Sequence, residues 1–407
     1  MPANRILYVI GSLDIGGTER HLSLIAPRLK RLGWEPIVYC IARRGAQADA
    51  VEKAGVEVIG PPFEQNRPKI AGGKFVYLIL SCLRLFKLLL FRRPRFVHFF
   101  LPMAYILGAP LALLSRAPDL IMSRRSLNLY QKQHRVLRFL ELHLHKHMSA
   151  ILGNSDAVVR ELIDQEKCDP SRVGLIYNGI EAADPAPNSA DASAGAGEPG
   201  LTLIVVANLI PYKGHRDLIQ ALGTILPKLP ERWKLLCVGR DDGIGVKLAS
   251  QARELNLESH IHFLGVRTDV AALLRAADIG ILCSHEEGFS NAILEGMAAS
   301  LPMIVTDVGG NTEAVVRGNT ALVVPPRDPA ALAEAILTLS NDAGMRKRMG
   351  QNGRARINER FLLDRCVERY HALYQGLNLG QRPAGIDGIG SSASSPPQIA
   401  QRQPNGS

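Results

Sequence analysis

The sequence predicts an α/β protein made of two doubly wound halves. Short β-rich runs alternate with helical patterns over roughly the first 180 residues, a stretch that cannot hold a core interrupts them, and a second alternation begins at Leu201. In the first half, residues 5–10 (RILYVI), 36–40, 56–59, 96–99 and 120–123 read as strands. Helical patterns at 19–32 and 46–54, and two amphipathic stretches at 75–91 and 127–148, lie between them. In the second half, strands are expected at 201–207, 234–238, 261–264, 279–283, 303–306 and 321–324. Helical segments at 215–226, 246–255, 268–276, 292–299 and 329–339 fill the gaps. Such alternation implies a parallel sheet covered by helices on both faces.

The chain has 407 residues, room for two or three domains. Residues 1–183 read as a first Rossmann-like domain and 201–360 as a second. Residues 184–200 (DPAPNSADASAGAGEPG) consist largely of small and turn-forming residues and read as a linker. The tail 378–407 is rich in Gly, Ser, Pro and Gln and is expected to be disordered. Open sheets bind ligands at the carboxyl ends of their strands, so two of them face to face predict a cleft with a ligand site.

Composition excludes several classes. Hydrophobic residues make up 46% and charged residues 21%, ordinary for a globular chain and unlike a disordered one. No run reaches the roughly 18 uninterrupted apolar residues of a membrane span. The start, MPANRILYVIGS, reads as a first strand and not as a secretory signal. The six cysteines are widely scattered and form no CxxC pair, which argues against a disulfide framework or a zinc site and fits a reducing cytoplasm.

Charge is uneven. Residues 1–180 carry 26 Lys and Arg against 14 Asp and Glu, whereas residues 181–407 carry 22 against 24. A basic half predicts an anionic partner. Residues 75–91 read FVYLILSCLRLFKLLLF, with Arg92, Arg93 and Arg95 close behind. Residues 127–148 mix Leu, Phe and Val with Arg135 and Arg138. Basic side chains beside Leu/Phe faces suit a helix lying on an anionic membrane surface, and suit nucleic acid less well. A buried helix with Arg84 and Lys87 snorkelling is the plainer alternative for 75–91.

Four glycine-containing turns carry the candidate chemistry. The strongest spans 284–296, SHEEGFSNAILEG. Glu287 should sit just before a helix and Glu295 inside it, about two turns on and on nearly the same face. Gly288 would let a ligand approach the backbone. The N–H groups of Phe289, Ser290 and Asn291 at a helix start suit a phosphate. Paired carboxylates beside a phosphate site can grip hydroxyls such as a ribose diol, although Glu287 also fits a plain helix-terminus acid. In TDVGGNTE, Gly309 and Gly310 could offer amides to an anion or simply make a turn. In GSLDIGGTE, Gly16 and Gly17 are not part of a GxGxxG. In ANLIPYKGH, Lys213 follows a strand and could place its ammonium on a diphosphate, or lie on the surface. His98 ends a strand in the first half, as a cleft residue or as a core histidine.

Together these residues resemble the retaining glycosyltransferases of family 4, which have the two-lobed GT-B fold. The resemblance rests on EEGFSNAILEGMAASLPMIVTDVGGNTEAV, on IGGTERHL, NSDAVV, IYNGI and NLIPYKGH, and on RFLLDRCVERYHALY, and it covers about residues 5–377. It implies that Glu295 binds the donor ribose, Glu287 contacts the transferred sugar, and Lys213 holds the diphosphate with Gly16 and Gly17 nearby. It places His98 by the reacting carbon and implies a base contact near Val266. It implies a last helix, 361–377, that crosses back to the first lobe. The donor would be a nucleoside-diphosphate sugar, UDP- or GDP-linked, used as a substrate, with no separate cofactor. The acceptor would be a saccharide or a polyprenyl- or glycolipid-linked saccharide at the cytoplasmic membrane face, and the context polysaccharide or glycolipid biosynthesis.

One departure stands out. The family usually carries an Arg five residues before its Lys, and this chain has Asn208 there, which leaves Arg124 or Arg125 as candidate replacements. The chain lacks an Asp-x-Asp at a strand end, so no metal is expected. The competing functions are a nucleotide-sugar epimerase of the same shape and a non-catalytic sugar-nucleotide binder. A nucleic-acid binder would leave the Glu287–Glu295 spacing unexplained.

Overall fold

The computed structural model describes residues 4–63, 73–128, 131, 134–181 and 200–381. The expected linker and tail fall almost wholly outside these residues. Two parallel sheets form the scaffold. The first contains β1 (Arg5–Ile10), β2 (Glu35–Cys40), β3 (Glu57–Ile59), β4 (Phe96–Phe100), β5 (Asp119–Arg124), β6 (Ala150–Gly153) and β7 (Val173–Leu175), in spatial order β3-β2-β1-β4-β5-β6-β7. The second contains β8 (Leu201–Val206), β9 (Trp233–Val238), β10 (Ile261–Gly265), β11 (Ile279–Leu282), β12 (Met303–Thr306) and β13 (Ala321–Val324), in order β10-β9-β8-β11-β12-β13. Each sheet reverses direction beside its first strand, and that reversal opens a crevice at the carboxyl ends.

The strands are nearly continuous apolar runs because helices cover both faces. Ile6, Tyr8 and Ile10 face one core of the first sheet and Leu7 and Val9 the other. The helix Leu363–Asn378 joins the first of these cores through Val367, Tyr370, Leu373 and Tyr374. Its entry is pinned where the Ile180 N–H donates to the Phe361 carbonyl at 2.9 Å and the Leu363 N–H to the Ile180 carbonyl at 2.8 Å. The last helix therefore completes the first lobe although it follows the second in sequence.

Several elements escaped the sequence pattern. β6 and β7 have four and three residues, too few to show a period. The helix Pro102–Leu114 is apolar on most sides and contains Pro110. The helix Ala343–Arg360 is polar on most sides, so neither helix shows a stripe. The 127–148 stretch contains the shorter helix Arg135–His145 among its described residues. Among the described residues no two cysteines form a disulfide, and no helix is long and apolar enough to cross a membrane.

Candidate active site

Two loops meet at the crevice of the second sheet, one leaving β8 and one leaving β11. Gly214 has φ +74°, and a Cβ there would lie 1.9 Å from the Cys283 carbonyl oxygen. Only glycine allows that approach. The His285 N–H donates to the Tyr212 carbonyl at 2.6 Å, closing the two loops on each other. Lys213 is thereby aimed at the β11 loop. Its Nζ donates to Glu287 Oε1 at 2.6 Å, and Ser284 Oγ donates to the same oxygen at 2.7 Å. The pair is largely shielded, with side-chain exposures of 18% and 11%. Burial pushes the Lys213 pKa down, but the Glu287 carboxylate outweighs it and holds the ammonium above its ordinary range.

The helix Asn291–Ala298 starts at Ser290, whose side chain makes no capping bond. Its first N–H groups and its dipole therefore remain suited to an anion. Glu295 lies in this helix and accepts from Arg20 Nη1 of the first lobe at 2.5 Å. Burial raises the Glu295 pKa and Arg20 offsets part of the rise. Glu287 and Glu295 thus serve different partners, one facing Lys213 and the other facing Arg20. Arg20, His21, Arg267, Thr268, Asn291 and Glu295 border a cavity of about 350 Å³. Asn291 Nδ2 donates to the Gly17 carbonyl at 3.2 Å, which brings the first lobe's glycine turn to the helix start. Gly16 precedes that turn's helix, Gly17–Arg31.

Other candidates take places that differ from expectation. Gly309 has φ +50°, and a Cβ there would lie 1.8 Å from the Glu287 carbonyl oxygen. The Gly310 N–H donates to the Gly288 carbonyl at 2.9 Å, so it braces the Glu287 turn and is not offered to an anion. A Cβ on Gly288 would lie 2.4 Å from the Arg125 carbonyl oxygen, so the missing side chain makes room for the first lobe's backbone. The Phe289 ring packs against Tyr177 and Phe361. Val266 follows β10 half-exposed, and its neighbour Arg267 borders the cavity in its place. Asn208 Oδ1 accepts from the Arg240 N–H at 3.0 Å.

His98 is a correction. It is 0% exposed inside β4. Its Nδ1 contacts Tyr374 Oη at 2.7 Å and its Nε2 contacts Ser123 Oγ at 2.8 Å. Burial, with the Arg125 charge nearby, lowers its pKa to about 3. His98 is a neutral core residue and cannot reach a sugar in the cleft. Arg124 is also withdrawn, since its guanidinium bonds Glu166 at 2.9 Å and Glu141 at 3.0 Å, both buried. Arg125 is partly exposed, and its charge acts on Tyr370 of the crossing helix and on Glu19 beside the glycine turn. Among the described residues, His145, Glu166 and Cys168 could approach one metal ion together. Arg124 already spans both Glu166 oxygens, so this trio reads as a polar core network.

Arg20 and Glu313 were not singled out from the sequence. Glu313 accepts the Asp156 and Ala157 N–H groups at 2.7 and 2.9 Å, and so caps the first-lobe helix Asp156–Asp164 from the second lobe. The signals were present, an arginine just after a glycine turn and a glutamate at the end of TDVGGNTE, but nothing in the sequence says that a partner lies across the cleft.

Two family descriptions match in tandem. Residues 15–184 match Glycosyltransferase Family 4, and residues 189–356 match Glycosyl transferases group 1. The chain belongs to the family-4-like group 1 glycosyltransferases. Among the family's curated members, the N-acetyl-alpha-D-glucosaminyl L-malate synthase of Bacillus anthracis is 31% identical over 180 residues, covering 44% of this chain and 46% of that protein. The D-inositol 3-phosphate glycosyltransferase of Kineococcus radiotolerans is 32% identical over 221 residues, covering 49% and 51%. The chain thus spans about half the length of the curated relatives it matches. Among solved structures, Anabaena HepE in complex with UDP-glucose superposes with a TM-score of 0.80 at 22% identity, covering 91% of this chain and 99% of HepE. The lipopolysaccharide glycosyltransferase WaaG superposes at 0.73 with 20% identity, covering 91% and 100%. These likenesses establish the GT-B fold.

Proposed function

We propose that this protein is a retaining glycosyltransferase that moves a sugar from a UDP- or GDP-linked donor to a saccharide or a polyprenyl- or glycolipid-linked acceptor. The observation that carries the reading is the Lys213–Glu287 pair beside an uncapped helix that bears Glu295. The relatives' names and the UDP-glucose bound to HepE support it. On this reading the diphosphate takes over the Lys213 ammonium and Glu287 turns to the sugar hydroxyls. Glu295 exchanges Arg20 for the ribose. As the glycosidic bond breaks, negative charge grows on the leaving diphosphate, and Lys213 with the helix N–H groups stabilises it. These groups supply positive charge without a metal. Retention follows from the family resemblance.

The acceptor side points to an anionic bilayer. The helix Gly73–Arg92 presents Val76, Ile79, Leu83, Leu90 and Phe91 to solvent, the last 83% exposed. It packs along Pro102–Leu114, which packs along Arg135–His145, where Val136 and Phe139 are exposed. Arg84, Lys87, Arg93, Arg135 and Arg138 lie exposed among them. An apolar face with a cationic fringe matches a lipid surface. Arg92 is already paired with Glu57 and Arg95 with Asp119, so neither is the best probe.

The test is product analysis with radiolabelled UDP- and GDP-sugars, with and without lipid-linked acceptors. Label joined to the acceptor supports transfer. Donor conversion without acceptor would instead assign an epimerase, and binding without turnover a non-catalytic module. Flotation with phosphatidylglycerol vesicles tests the surface. Phe91→Ser with Arg84, Lys87 and Arg93 changed to Gln should abolish flotation, and flotation equal to wild type would refute the membrane face.

A further inference from the structure

A diphosphate carries more negative charge than one ammonium meets, and Asn208 beside the Lys213 turn is neutral. The structure brings another cation to this place from the adjacent strand. The loops leaving β8 and β9 are zipped together. The Leu209 N–H donates to the Arg240 carbonyl at 2.8 Å, the Arg240 N–H donates to Asn208 Oδ1 at 3.0 Å, and Leu209 bridges Asp241. Gly239 makes this possible, since a Cβ there would lie 2.2 Å from the Ala207 carbonyl oxygen. Arg240 projects from the zipped loops. Its Nε pairs with Asp242 at 2.7 Å, and its side chain is 53% exposed. Its charge also feels Asp14 and Glu19 of the first lobe, the two acids that flank Gly16 and Gly17 in sequence. Arg240 therefore sits on a loop bonded to the one that leads to Lys213, within electrostatic reach of the acids beside the glycine turn of the opposite lobe.

We propose that Arg240 supplies the second cation for the donor diphosphate, with Asn208 fixing the Arg240 backbone so that the guanidinium faces the cleft. This rests on the donor reading above. A guanidinium can bind phosphate oxygens bidentately. Its present partner, Asp242, is partly exposed, so exchanging that pair for phosphate costs little. Asn208 thereby serves as a holder for a cation displaced to the next strand.

Calorimetric titration of the full chain with UDP and with GDP tests this. Arg240→Ala should weaken the nucleotide that binds wild type by about tenfold, the scale of one charged hydrogen bond, and leave the ligand-free melting temperature unchanged. Adding Asn208→Arg should restore most of the affinity. Wild-type affinity in Arg240→Ala would overturn the assignment. So would a loss that comes with a lowered melting temperature and no rescue, which would make Arg240 structural. If Lys213→Ala loses affinity and Arg240→Ala does not, the donor reading stands and this inference alone fails. If wild type binds neither nucleotide, both fall.

Discussion

The crevice-forming strands of the two sheets follow the same order but hold opposite chemistry. In the first sheet Tyr8 on β1 and His98 on β4 are register partners. The crossing helix covers them, with Tyr374 contacting His98 at 2.7 Å and Tyr8 at 3.1 Å. Their polar atoms bond one another, and burial keeps the histidine neutral. In the second sheet the loops that leave β8 and β11 close on each other instead. Lys213, Ser284 and Glu287 gather there as a shielded ionic cluster, beside a helix start with no side-chain cap. The same topology therefore yields a packed polar core in one lobe and a charged edge in the other. The difference is whether something in the protein already fills the space.

Mutation should separate the two regions cleanly. Lys213→Ala should slow sugar transfer by about 10²–10³-fold, the effect of a lost transition-state donor, in a chain that still folds. Steady-state rates set beside circular dichroism check this. His98→Ala should do the reverse. It removes a buried ring and two hydrogen bonds, costing about 3 kcal/mol of stability, while the folded fraction keeps its kcat at low temperature. A kcat collapse without destabilisation would return His98 to the chemistry and break the comparison.

Acid sharpens the contrast. With a folded pKa of about 3 and an ordinary value near 6.5 when unfolded, His98 binds its proton more readily in the unfolded chain. Its contribution to stability is intact above about pH 6.5 and is lost as the pH falls toward 3. Between pH 6.5 and 5 the loss is roughly 2 kcal/mol, at about 1.4 kcal/mol per unit. His98→Gln should flatten that slope in denaturant melts. Glu295 should give a smaller, separate signal. Its pKa is raised by burial, and on the proposed reading the ribose needs the ionised form, so donor affinity should begin to fall with acidification above the ordinary glutamate range near 4.3. Titration calorimetry across pH should show this bend in wild type and not in Glu295→Gln.

Much of the fold was legible because buried parallel strands are apolar runs separated by helical periods. Eleven of the strands announced themselves this way, whereas β6 and β7 are too short to do so. Of the candidate site, the placement of Lys213 after a strand, Glu287 before a helix and Glu295 inside it was legible, since glycine turns and a two-turn carboxylate spacing are local features. What failed was non-local. The sequence left His98 open as a cleft or a core residue and the resemblance placed it by the reacting carbon, because its burial depends on Tyr374, 276 positions away. The missing side chains of Gly288, Gly309 and Gly310 make room for backbone from Arg125 and from one another's turns, which no local pattern announces. Arg20 and Glu313 act across the cleft, and no spacing rule reaches across it.

The central claim is that an activated sugar sits between the Lys213 loop, the Glu295 helix and the first lobe's glycine turn. Hydrogen exchange on the full chain, with and without UDP- and GDP-sugars, tests it directly. The account predicts added protection at 207–214, 284–295 and 16–20, and little change around the buried His98. No protection there with any nucleotide sugar, or protection confined to the polar core around His145 and Glu166, would contradict it.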